Sequence, residues 1–150
     1  MLKLFFLATA LLHCATATEW FISPTGLANG TGTEAAPFPS LAVAFQRAAL
    51  KADDVFTLLD GLYGDAFHLS LHSTPVTIRA RNIGQATIVT GLGAARIDCS
   101  GPLAQASSLT LAGVKFMTGR PAINCTLCNC ALSDLQFVKI DVRECSILLF

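Results

Sequence analysis

The sequence predicts an all-β solenoid: short parallel strands stacked in coils, entered through one helix. Three observations carry this. Beyond residue 53 the chain is a succession of short β-prone runs separated by turn residues. Those runs repeat at an offset of 20 to 26 residues. One segment alone, S-L-A-V-A-F-Q-R-A-A-L-K at 40–51, has a helical apolar stripe.

The chain has 150 residues, enough for one domain with a core of its own. Ten basic residues balance ten acidic ones, so the electrostatic footprint of a nucleic-acid binder is missing. Charged residues are 13% of the chain and apolar ones 53%, the opposite of a disordered composition.

The first 17 residues, M-L-K-L-F-F-L-A-T-A-L-L-H-C-A-T-A, have the order of a secretory signal peptide. Lys3 supplies the positive region, Leu4 to Leu12 the apolar core, and Ala15-Thr16-Ala17 a small-x-small site with cleavage expected after Ala17. The apolar run is shorter than the ~20 residues a spanning helix needs. The expectation is therefore a secreted, extracellular protein with no membrane span once the leader is removed. Residues 18–52 are read as an N-terminal strand, a loop and a capping helix, and 53–150 as coils.

In the mature chain Trp20-Phe21-Ile22 is β-prone and stopped by Ser23-Pro24. Gly26, Gly30, Gly32, Pro37 and Pro39 mark a loop. Ser40 can cap the helix that follows, about three turns long. Strands are then expected at 55–59, 67–71, 76–80, 86–90, 95–99, 109–116, 122–127, 131–140 and 145–150.

The repeat is clearest late in the chain. L-T-L-A-G-V-K-F from Leu109 aligns with C-A-L-S-D-L-Q-F from Cys130 at an offset of 21. Leu111 then meets Leu132, Val114 meets Leu135 and Phe116 meets Phe137. C-T-L from Cys125 meets C-S-I from Cys145 at 20, and I-D-C ending at Cys99 meets I-N-C ending at Cys125 at 26. Stacked coils would place such residues in ladders at ~4.8 Å.

Several stretches carry a resemblance: W-F-I-S-P-T-G, G-T-E-A-A-P-F-P-S-L-A-V-A-F, D-D-V-F-T-L-L-D-G-L-Y-G-D, T-P-V-T-I-R-A-R-N and A-T-I-V-T-G. Between Trp20 and Gly91 the chain resembles the opening of secreted right-handed parallel β-helix proteins of the pectate-lyase-like superfold, nearest in flavour to the chondroitinase-B and alginate-lyase branch. Lys51-Ala52 departs from the Pro-Gly more usual there. The resemblance implies a right-handed parallel β-helix with an N-terminal capping helix. Because the chain ends on the apolar run C-S-I-L-L-F with no polar cap, the solenoid is expected to be incomplete at its C-terminus. The resemblance also implies a link to polysaccharide. Lyases of that kind cleave uronic-acid polymers by β-elimination with a Lys or Arg base, and some use Ca²⁺. None of their catalytic residues maps onto this chain.

Two functions follow as expectations. One is a secreted, carbohydrate-associated module, binding glycans or a surface protein, without a catalytic site or cofactor. The other is the N-terminal part of an extracellular polysaccharide lyase, for which Ca²⁺ is a candidate cofactor. Arg79 and Arg81, alternating with Ile78 and Ala80, are candidates for glycan contact. His68 and His72 share one side of a strand without a third metal ligand in view. Asp53, Asp54 and Asp60 are read as loop and turn residues rather than a carboxylate pair or a Ca²⁺ site.

Secretion gives two sequons meaning, Asn29-Gly30-Thr31 and Asn124-Cys125-Thr126, both glycosylation candidates. It also leaves five cysteines, Cys99, Cys125, Cys128, Cys130 and Cys145, read as disulfide partners or as small ladder residues. A zinc site would want two CxxC-like halves at regular separation, which the single cluster does not offer.

Overall fold

The computed structural model describes residues 17–64, 68–72, 74–89, 96–100, 108–119, 122–126 and 129–140. Among them are twelve strands and one helix. Strand β1 (Glu19–Ile22) and helix α1 (Leu41–Arg47) come first. The strands β2 (Asp54–Leu58), β3 (Gly61–Tyr63), β4 (His68–His72), β5 (Val76–Ala80), β6 (Ala86–Val89) and β7 (Arg96–Ser100) follow. The last are β8 (Ser108–Ala112), β9 (Lys115–Gly119), β10 (Ala122–Thr126), β11 (Asn129–Ser133) and β12 (Gln136–Ile140).

The strands form three sheets, ordered β1-β2-β5-β8-β11, β12-β9-β6-β3 and β10-β7-β4. Every strand pair is parallel. From β2 onward, successive strands fall in the five-, four- and three-stranded sheets in turn.

This corrects the expected fold class. The described residues form separate parallel sheets and one short helix, not a closed right-handed β-helix solenoid. The offsets of 21 and 26 residues are real, but they measure how far the chain travels between neighbouring parallel strands. Any parallel pair needs a crossover of a dozen residues or more, so that spacing does not dictate a closed coil.

Register matches the aligned runs. Leu111 pairs with Leu132, Phe116 with Phe137 and Cys99 with Cys125. The two long runs are each divided by a corner, however. Gly113 (φ 68°) separates β8 from β9, and Asp134 (φ 52°) separates β11 from β12. Both residues are left-handed, the conformation that glycine adopts freely and aspartate tolerates better than most residues. The corners are bonded to one another: Gly113 N donates to Ser133 O at 3.0 Å and Gln136 N to Val114 O at 3.1 Å.

Helix α1 is seven residues, shorter than expected. Ser40 caps it by accepting from Val43 N at 3.2 Å. It ends where Ala48 turns extended (ψ 120°). The chain must leave the helix here because residues 51–54 form the turn into β2: Asp54 N donates to Lys51 O, and Lys51 N to Asp54 Oδ2.

A single buried cluster joins the five- and four-stranded sheets and the helix. Phe56, Ile78, Leu109 and Leu111 come from the first, Ile88 and Phe116 from the second, and Leu41 and Ala44 from α1. Alternation along the strands puts Trp20, Phe56, Ile78, Leu111 and Leu132 in one row on the core side. Phe45 meets the edge of Phe56 at 5.1 Å.

The outer edge of β1 is not left open. The loop after it folds back so that Phe21 N donates to Gly32 O, Phe38 N to Phe21 O and Ser23 N to Phe38 O, all at 2.8–2.9 Å. Covering an edge strand in this way blocks further pairing. Tyr63 is fixed at the ends of β1 and β2, its hydroxyl 2.6 Å from Leu59 O and 2.9 Å from Ile22 O. Burial, and secondarily the charge of Asp60, pushes its ionisation up.

Candidate functional site

The other face of the five-stranded sheet carries an open groove. Parallel register sets Phe21 of β1 beside Thr57 of β2, and Thr57 beside Arg79 of β5. Glu19, two residues before Phe21, is on the same face because strand side chains alternate. The loop that covers β1 brings Glu34 alongside, in the turn closed by Ala36 N donating to Thr33 O at 3.1 Å. Arg81 follows β5 directly, held by its amide donating to Leu58 O at 2.8 Å.

Together Glu19, Phe21, Glu34, Thr57, Arg79, Ala80 and Arg81 line an open depression of about 400 Å³. Its polar groups are tied to one another. Arg79 Nη2 donates to Glu19 Oε1 at 2.8 Å, and Arg79 Nε donates to Thr57 Oγ1 at 3.2 Å. The Thr57 hydroxyl in turn donates to Glu19 Oε1 at 2.6 Å. Arg81 pairs with Glu34. The Thr57 hydrogen bond first, and the one from Arg79 second, hold the Glu19 carboxyl below its ordinary value. Arg79 and Glu19 are about half exposed, at 50% and 40%, so water still reaches both.

The two arginines singled out from the sequence therefore meet in one site. Glu19, Phe21, Glu34 and Thr57 were not foreseen. They are remote in sequence, and only strand register and the returning loop collect them.

Other expected positions fall elsewhere. Asn29 is exposed, in the turn where Gly30 N donates to Leu27 O at 2.8 Å. Asn124 is in β10, opposite Asp98. Cys130 is in β11, opposite Leu109. Cys128, Cys145 and residues 1–16 of the leader lie outside the described residues, as does the apolar run that ends the chain. His68 and His72 are in β4, opposite Arg96 and Ser100. The three aspartates do not converge: Asp53 is an exposed left-handed corner (φ 67°), Asp54 is buried, and Asp60 accepts from Asn82 at 3.0–3.1 Å. Among the described residues no group of three or more His, Cys, Asp or Glu is placed to hold a metal ion. None of the described helices is long and apolar enough to cross a membrane.

No family model, curated protein or solved structure matches the chain, and nothing in those comparisons identifies the pectate-lyase-like likeness.

Proposed function

We propose that this is a secreted, extracellular carbohydrate-binding module that holds a saccharide in the groove over β1, β2 and β5. The observation that carries the reading is the combination in one open depression of an aromatic side chain, Phe21, with donors and acceptors fixed by their own pairing. A sugar ring presents an apolar C–H face and a rim of hydroxyls. Phe21 offers a surface for the first, and Arg79, Glu19, Thr57, Arg81 and Glu34 offer partners for the second. Because those side chains hold one another, little rotamer freedom is left to lose on binding.

The pairing also favours one class of sugar. Each guanidinium already faces a carboxylate. A uronic-acid polymer would have to displace Glu19 and Glu34, whereas a neutral saccharide hydroxyl can accept from arginine and donate to glutamate at once.

The test is calorimetric titration of the secreted protein with neutral oligosaccharides and with uronic-acid oligomers. Binding of a neutral oligosaccharide, weakened about tenfold by Phe21→Ala, supports the reading. Binding of uronates alone, or binding indifferent to Phe21→Ala and Arg79→Met, would overturn it.

A further inference from the structure

Asp54 opens β2 with its side chain on the core side of the sheet and is fully buried, 0% exposed. Its carboxylate accepts three hydrogen bonds: Thr18 N to Oδ1 at 2.9 Å, Lys51 N to Oδ2 at 3.0 Å, and Trp20 Nε1 to Oδ2 at 3.4 Å. As the chain is written, two of the donors are backbone amides and the third an indole, all of them neutral. Among the described residues no side-chain cation pairs with it. A buried carboxylate without a counter-ion is costly, and such groups are ordinarily paired.

The nearest donor atom is the one that processing would charge. Thr18 N belongs to the bond after Ala17, where the sequence places its small-x-small site. Ala17 is exposed, whereas Thr18 is held, its carbonyl accepting from Val55 N at 2.9 Å. We propose that the chain is cut between Ala17 and Thr18, and that the new α-ammonium of Thr18 is the cation partner of Asp54. In the cut, a leader peptidase uses one water. The Ala17 carbonyl carbon takes the hydroxyl, and the Thr18 nitrogen takes a hydrogen and then a proton from solvent at neutral pH. A neutral amide 2.9 Å from the carboxylate thus becomes an ammonium at the same place. Processing would complete the fold by turning an uncompensated buried charge into an ion pair that pins β1 to β2. This rests on the leader expected from the sequence and is independent of the groove.

The experiment begins with the full chain expressed with its own leader in a secreting host. Terminal sequencing of the product should read Thr18 first, and any other start overturns the proposal. The α-amine is then acylated at neutral pH in three folded proteins: the natural one, Asp54→Asn, and a form with a glycine inserted between Ala17 and Thr18. Pairing that raises the amine's pKa by one unit slows its acylation about tenfold. The natural protein should react about tenfold more slowly than either variant. If Asp54→Asn does not fold, the inserted form gives the comparison alone. Equal rates in the natural and variant proteins would overturn the pairing.

Discussion

Arg79 on β5 reaches across β2 to Glu19 on β1, closing a 2.8 Å ion pair between residues 60 apart in sequence, with Thr57 hydrogen-bonded to both. The three strands are adjacent and parallel, so the contact is a direct readout of register. A slip of one residue would turn Arg79 to the core face and break it.

That relationship predicts the titration of Glu19. Its folded value is below the ordinary 4.5. Its contribution to stability is then fully present above pH 4.5 and is lost as pH falls through the lowered folded value. Thr57→Val and Arg79→Met should each raise the Glu19 pKa toward 4.5, because the Thr57 hydrogen bond is the largest single cause of the lowering and Arg79 adds both a hydrogen bond and its charge. Carboxyl NMR shifts followed against pH measure this, and a titration unmoved by Thr57→Val would contradict it.

The corners predict a contrast between two positions 21 residues apart. Gly113 has φ 68°, and a Cβ there would lie 3.3 Å from Ile83 Cγ1. Gly113→Ala should cost roughly 1–2 kcal/mol, the ordinary penalty for a side chain in the left-handed region. Asp134 already carries a side chain at φ 52°. Asp134→Gly should change stability by less than about 0.5 kcal/mol, since relief of strain is offset by a freer unfolded chain. Denaturant midpoints of the two variants decide the matter.

The core predicts a larger effect. Phe56 is fully buried in its row between Trp20 and Ile78 and carries the edge contact with Phe45 that seats the helix. Phe56→Ala should cost roughly 3–5 kcal/mol by denaturant unfolding. A loss under about 1 kcal/mol would mean that α1 is not packed there.

The hydroxyl of Tyr63 predicts a smaller one. Tyr63→Phe removes the donor that Leu59 O faces at 2.6 Å, while Ile22 O keeps Leu59 N at 2.8 Å. The loss should be about 1 kcal/mol. Unchanged stability would show that water replaces the hydroxyl.

Much of the register was legible in the sequence, because parallel neighbours carry like residues: Leu111 with Leu132, Phe116 with Phe137, Cys99 with Cys125. How the sheets close was not legible, since the same offsets serve any parallel pair with crossovers of that length. The corners at Gly113 and Asp134 were hidden inside continuous β-prone runs. β3 was missed because three residues show no periodicity. Alanines at 48 and 49 favour helix on propensity alone, but the turn tied by Asp54 ends α1 at Arg47. Arg79 and Arg81 stood out by alternation. Their partners did not, because Glu19 and Glu34 come from a strand and a loop that only the folded chain brings alongside.

The groove itself is tested most directly by amide NMR of the secreted protein titrated with a neutral oligosaccharide that it binds. Shifts should concentrate at residues 19–21, 34, 57 and 79–81 and should disappear in Phe21→Ala. Saturable shifts on β9, β12 or the helix, with those residues unmoved, would contradict binding in this groove.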